Sequence, residues 1–133
     1  GLCMQWWFNG VVVGGGGGLG VNLRYLLGSL LNTLYPAIPI GTLVANLLGG
    51  LLMGLLVAYS AGLSLEIRLL LATGFLGGLT TFSTFSAEAF LLLQQGRIAQ
   101  AMLLIGVHVF GSLLMTATGF ALALWVKSGS GLA

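Results

Sequence analysis

Residues 77–88 read GGLTTFSTFSAE, in the middle of an otherwise apolar run from about Glu66 to Leu93. Glycine inside a helix costs about 0.5–1 kcal/mol relative to alanine. The hydroxyls of Thr80, Thr81, Ser83, Thr84 and Ser86 also compete for backbone partners. The stretch therefore predicts a helix broken around Gly77–Phe82. In a bilayer, broken backbone is tolerated only where it is buried in protein or faces a polar cavity. The freed carbonyls of Gly77 and Thr80 would then form a hard-oxygen site for a small cation, two ligands per chain and four if the break lies on a dimer axis. The alternative is a packing kink satisfied by neighbouring hydroxyls.

The rest of the chain puts that stretch in lipid. Of 133 residues, 58% are apolar and 5% charged, against about 25% charged in a soluble domain. Four Lys/Arg, two Asp/Glu and one His cannot solvate a globular surface of this size. The class is an all-α integral membrane protein. A net charge of +2 is too small to argue for nucleic acid or an anionic surface. The single cysteine, Cys3, excludes an internal disulfide and a cysteine-based metal site, and reads as an apolar residue near a terminus. No basic segment and cleavage site mark a signal peptide.

A spanning helix needs roughly 20 apolar residues. Four stretches reach that length: about Gln5–Leu31, Ile40–Tyr59, Glu66–Leu93 and Ile98–Val126. They are separated by LNTLYPAIPIG with Pro36 and Pro39, by SAGLS and by QQGR. Residues 1–126 thus read as one four-helix domain, and residues 127–133, ending SGSGLA, as a linker-like tail. Gly14 to Gly18 with Gly20, and Gly41, Gly49, Gly50 and Gly54, supply the small residues that let membrane helices approach. With four spans, Arg68 and Lys127 fall on one side and Arg24 and Arg97 on the other. Two against two leaves the positive-inside rule nothing to act on. Insertion in both orientations follows, and with it pairing of inverted copies into an antiparallel homodimer. The alternative is an orientation set by another determinant.

Several residues could carry an ion. Phe82 and Phe85 share a helix face, and aromatic ring edges are positive. Such a pair suits a packed core as well as an anion. Ser83, Thr84 and Ser86 offer O–H donors, although membrane hydroxyls commonly bond back to the preceding turn. His108, Ser112 and Thr116 fall at i, i+4 and i+8, a polar stripe on an apolar helix that reads as the wall of a wet path. Asn46 is the amide placed near mid-membrane; it can donate to an anion or crosslink helices. Glu88 and Arg24 are the intramembrane charges, functional by default, with a structural pairing to each other or to backbone ends as the alternative. No acidic ring or Lys/Arg cluster suggests a cation or phosphate pore, and no catalytic motif suggests an enzyme. Neutral donors with aromatic edges suit a small, strongly hydrated anion.

GGGGLGVNLRY, GTLVANLLGG, TGFLGGLTTFSTFSAE and HVFGSLLMT together resemble the bacterial Fluc/CrcB fluoride channels over roughly residues 14 to 126. The third stretch is the most specific; the first is a looser glycine pattern, and the run of five glycines with MQWWFN ahead of it is unlike a typical N-terminus of the family. The resemblance implies a dual-topology antiparallel homodimer in the bacterial inner membrane. It would pass fluoride passively and selectively through two pores, relieving cytoplasmic accumulation. It further implies a structural sodium ion on the carbonyls of Gly77 and Thr80, and Phe82 and Phe85 along the pores with Asn46 nearby. A polar track would run through Ser83 or Thr84 with His108, Ser112 and Thr116. Arg24 would sit at the vestibule, and Glu88 would match the acidic residue after the third-helix motif.

Two other readings fit less well. A small dual-topology multidrug exporter also has four helices, but couples protons through an embedded acid typically in its first helix, where this chain has no Asp or Glu. A membrane-embedded enzyme or assembly subunit would call for a carboxylate cluster or soluble loops.

Overall fold

A computed structural model describes residues 1–131, all of them in helices or the short turns between them. The helices are α1 (Leu2–Leu31), α2 (Ile40–Tyr59), α3 (Leu65–Arg68), α4 (Gly77–Leu79), α5 (Phe82–Gln94) and α6 (Ile98–Ser130). A 3-10 turn, Ser60–Gly62, follows α2, and a π-helical run, Leu69–Leu76, joins α3 to α4. Among the described residues, three segments are long and apolar enough to cross a membrane: Ile40–Gly62, Leu65–Gln94 and Ile98–Ser130. α1 is long enough, at 30 residues, but its glycines, Asn22 and Arg24 dilute its apolar character.

The termini of these helices follow from local chemistry. Asn32, just past α1, accepts the Thr42 N–H through Oδ1 at 3.1 Å, so a side chain from the Pro-rich connection satisfies the open start of α2. Ser64 caps α3, accepting the Ile67 N–H at 3.3 Å, with Glu66 favourably placed in the first turn. Between α5 and α6 the chain reverses at Gly96, whose φ of 72° is a left-handed conformation open to glycine. α6 continues through Ser130 before Gly131 ends it at φ 69°. Lys127–Ser130, expected in a linker-like tail, are therefore helical, because no residue before Gly131 breaks the helix. Leu132 and Ala133 lie outside the described residues.

α1 and the run Leu65–Gln94 point one way, and α2 and α6 the other. Gly20 of α1 lies on Phe75 and Leu79, Gly54 of α2 on Thr116 and Phe120, and Asn46 of α2 opposite Thr81. Packing depends on close backbone approach. A methyl group on Gly20 would run into the Phe75 carbonyl, and one on Gly54 into the Thr116 carbonyl. Among the described residues, fully or nearly buried apolar side chains form two small clusters, one around Phe85, Ala89 and Leu104, the other around Ala45, Leu76 and Leu79. Most Leu, Phe and Val side chains face outward, the arrangement expected where lipid is the solvent.

The expected break is present within Gly77–Phe82, but not at the glycines. Gly77–Leu79 remain helical, and the backbone leaves the helix at Thr80 (φ −84°, ψ 154°) and Thr81 (φ −147°, ψ 114°). Gly78 serves packing instead: a methyl there would collide with the Gly17 carbonyl of α1. The π-helical run before the break had no counterpart in the sequence reading.

Candidate functional site

The break is built by exchanging helix hydrogen bonds for side-chain ones. In a continuous helix the Thr81 N–H would close on the Gly77 carbonyl; here it donates to Asn46 Oδ1 at 2.8 Å. The Thr84 N–H, which would close on Thr80, donates instead to Thr81 Oγ1 at 3.2 Å, making Thr81 the N-cap of α5. The Gly77 and Thr80 carbonyls thus lose their helical donors to side chains, and those of Gly78 and Leu79, before the same break, lose theirs as well. Thr80 Oγ1 bonds back to the Leu76 carbonyl at 2.9 Å, and Arg24 Nε donates to the Gly78 carbonyl at 3.1 Å.

Asn46 is the hub on the facing helix. Because a backbone N–H can only donate, Asn46 Oδ1 must be the atom facing Thr81 N, which turns Nδ2 towards the Thr81 carbonyl (3.2 Å) and His108 Nδ1 (3.1 Å). Asn46 therefore crosslinks helices, the second of its two expected uses, and both N–H groups have protein acceptors. His108 Nδ1 accepts, so the neutral imidazole carries its proton on Nε2. That atom is buried without a protein partner, on a side chain only 4% exposed. The ring is fixed by stacking on Phe85, centroids 4.6 Å apart and planes 28° apart. Phe85 in turn meets Phe82 edge to face, at 5.7 Å and 71°. Phe85 is buried, whereas Phe82 is 78% exposed and projects from the chain.

A cavity of about 420 Å³ opens beside the break. Asn46, Gly77, Thr80, Phe82, Phe85, His108, Ser112 and Thr116, all singled out from the sequence, line it together. Thr116 Oγ1 bonds back to the Ser112 carbonyl at 2.9 Å, the usual habit of a membrane threonine. A methyl on Gly50 would crowd that same carbonyl, so the stripe of α6 is pressed against α2. The other expected residues lie elsewhere. Arg24 and Thr84 line a second cavity of about 450 Å³, and Thr81 lines both. Glu88 lines a third, of about 190 Å³, near Pro39 and Arg97. Ser83 is exposed and lines none of the three, with its hydroxyl 3.4 Å from Thr81 Oγ1.

Arg24 and Glu88 each pair with something other than the other: Arg24 with the Gly78 carbonyl, and Glu88 Oε1 with the Thr42 hydroxyl at 2.8 Å. The Thr42 partner was missed in the sequence, although it lies one helical turn before Asn46, on the same face of α2. Among the described residues no group of His, Cys, Asp or Glu side chains could hold a metal ion. A cation at this site would rest on backbone carbonyls, and those of Gly77 and Thr80 are two of the four freed at the break.

Residues 11–120 match the family described as CrcB-like protein, Camphor Resistance (CrcB). A fluoride-specific ion channel of Chromohalobacter salexigens is 57% identical over 118 residues, covering 86% of this chain and 89% of its own length. One from Pseudomonas putida is 57% identical over 114 residues, covering 84% and 90%. One from Tolumonas auensis is 59% identical over 109 residues, covering 80% and 86%. The matches run through α1, the break, the Asn46 hub and the polar face of α6, and on them the chain belongs to the CrcB family.

Proposed function

We propose that this protein is a fluoride channel that lets the ion leave the bacterial cytoplasm passively across the inner membrane. One observation carries the reading: His108, whose Nε2–H is buried without a protein partner, lines the same cavity as Phe82 and Phe85. Fluoride must give up part of its water to pass a greasy constriction. A neutral N–H donor and positive ring edges replace that water without binding the ion too tightly to release it. Ser112 and Thr116 extend the polar wall along α6, and Arg24 draws anions towards the second cavity. Ser83, exposed beside the break, offers its hydroxyl to whatever covers that face. Relatives at this level of identity that are named fluoride-specific channels support the choice of ion.

The cavity is open on one side and Phe82 projects outward, which supports completion by a second copy. In the proposed assembly α1 serves as the fourth span, and two inverted copies pair as an antiparallel homodimer with two pores. The balanced placement of Arg24 and Arg97 against Arg68 and Lys127 supports insertion in both orientations. The carbonyls of Gly77 and Thr80 from both copies would hold a structural sodium ion, whose charge would pin the two broken helices together. The donor set fits, since hard carbonyl oxygens suit a hard cation.

Liposomes loaded with potassium fluoride and containing the purified protein test the reading. Addition of a potassium ionophore is expected to release fluoride and to leave chloride behind. Chloride release at a comparable rate would refute it. Accessibility of a terminal tag from both sides of the membrane checks dual orientation, and a single orientation would refute that part alone.

A further inference from the structure

We infer that the chain carries a tryptophan collar at one end only, seated in the glycerol and headgroup layer of the bilayer. The inference rests on α1 crossing the membrane beside the other helices. The protein has three tryptophans, and all three side chains face outward: Trp6 is 79%, Trp7 74% and Trp125 74% exposed. Trp6 and Trp7 start α1 and Trp125 ends α6. Because the two helices run in opposite directions, these ends share one side of the molecule.

Their heights agree. Gly20 lies against Leu79 at the break, and the 13 residues back to Trp7 span about 20 Å at 1.5 Å each. Ser112 lies against Gly50, next to the Gly49 that touches Thr80, and the 13 residues on to Trp125 span about 20 Å again. Half of a hydrocarbon core is about 15 Å. With the break at mid-membrane, all three indoles therefore fall in the interfacial layer, where an apolar ring and an N–H donor are both satisfied.

The same end carries Lys127, whose ammonium donates to the Ala58 carbonyl at the end of α2 and sits 4.7 Å from the centroid of the Tyr59 ring. That contact ties the end of α6 to α2 and so fixes the height of Trp125. α1 packs on the π-helical run, α4 and α2, whereas α6 packs on α2 and α5. The tryptophans therefore flank the bundle on separate sides, as an anchor that resists both sinking and tilting. No tryptophan marks the opposite end. The collar would hold the Thr80–Thr81 break at the bilayer centre.

The test uses the intact protein in phosphatidylcholine and phosphatidylglycerol vesicles, with bromines carried either near the glycerol or near the acyl-chain ends. Indole emission is expected to be quenched several-fold more by the shallow bromines. The wild type reports all three rings, and W6F/W7F, W7F/W125F and W6F/W125F report them singly at one common depth. Equal or stronger quenching by deep bromines would overturn the collar while leaving α1 in the membrane. Quenching of Trp6 and Trp7 by aqueous iodide but by neither lipid would overturn it by removing α1 from the bilayer. Different depths for Trp125 and the α1 pair would also overturn it.

Discussion

Asn46 of α2 holds both backbone polar groups of Thr81, accepting from its N–H at 2.8 Å and donating to its carbonyl at 3.2 Å. This grip replaces the helix bond that the Thr81 N–H gives up at the break. Removing it strands the Thr81 N–H in a medium with no water, at about 1–3 kcal/mol for a buried group left unpaired, whereas the carbonyl of this N-cap residue keeps its intrahelical bond. Asn46→Ala is expected to lower the melting temperature in detergent and to cut fluoride flux together. Asn46→Asp retains the acceptor for Thr81 N–H but, when ionised, no donor for the carbonyl or for His108, so it should recover part of the stability and little of the flux. Full flux in Asn46→Ala would show that the break does not need this hub.

Phe82 and Phe85 occupy one helix face but different environments, 78% and 8% exposed. Phe82→Ile is expected to reduce flux sharply and to cost less stability than loss of the Phe85 ring, which is buried within the chain itself. Phe85→Ala also removes a core ring and the stack on His108, and should destabilise by about 3–5 kcal/mol. Equal stability losses in the two variants, measured by thermal unfolding in detergent, would contradict the asymmetry.

How much of this was legible in the sequence depended on which atoms did the work. The break was legible because glycines and clustered hydroxyls are poor interior helix residues, and because lipid offers no alternative partner. Its position within Gly77–Phe82 was not, because Gly77 and Gly78 read as breakers when both stay helical and Gly78 is a contact point for α1. The hub at Asn46 was visible as an out-of-place amide. Its commitment to Thr81 and His108 depends on distances between residues far apart in the chain. His108, Ser112 and Thr116 stood out because helical periodicity puts them in line. Thr42 did not, because a threonine near a helix start is unremarkable until its partner, Glu88, is known to face it. The π-helical run Leu69–Leu76 leaves no trace in composition, since leucine, alanine and glycine suit either winding.

Glycine placement should separate contact points from spacers. Gly20→Ala and Gly54→Ala each put a methyl group into a facing carbonyl, an overpacking that costs about 1–3 kcal/mol. Gly106, with nothing within 4 Å of an added methyl, should accept alanine and gain up to about 1 kcal/mol from helix propensity. Thermal unfolding of the three variants in one detergent checks the contrast. Loss of stability in Gly106→Ala equal to that in the other two would mean that close approach is not what these glycines provide.

The sharpest test of the ion path lies at one atom. His108 is stacked on Phe85, accepts from Asn46 through Nδ1, and leaves Nε2–H buried without a partner beside the cavity. A conventional substitution would remove the stack or the Nδ1 contact along with the donor. Replacement of His108 by histidine methylated at Nε2 removes the N–H and keeps the rest. A hydrogen bond to a charged partner contributes about 1.5–3 kcal/mol, and each 1.4 kcal/mol is about tenfold. Fluoride flux is therefore expected to fall by about tenfold or more, while the melting temperature falls by at most the small cost of fitting a methyl group. Wild-type flux in the methylated protein would take His108 out of the path and leave the ring edges of Phe82 and Phe85, with the α6 hydroxyls, to carry the anion alone.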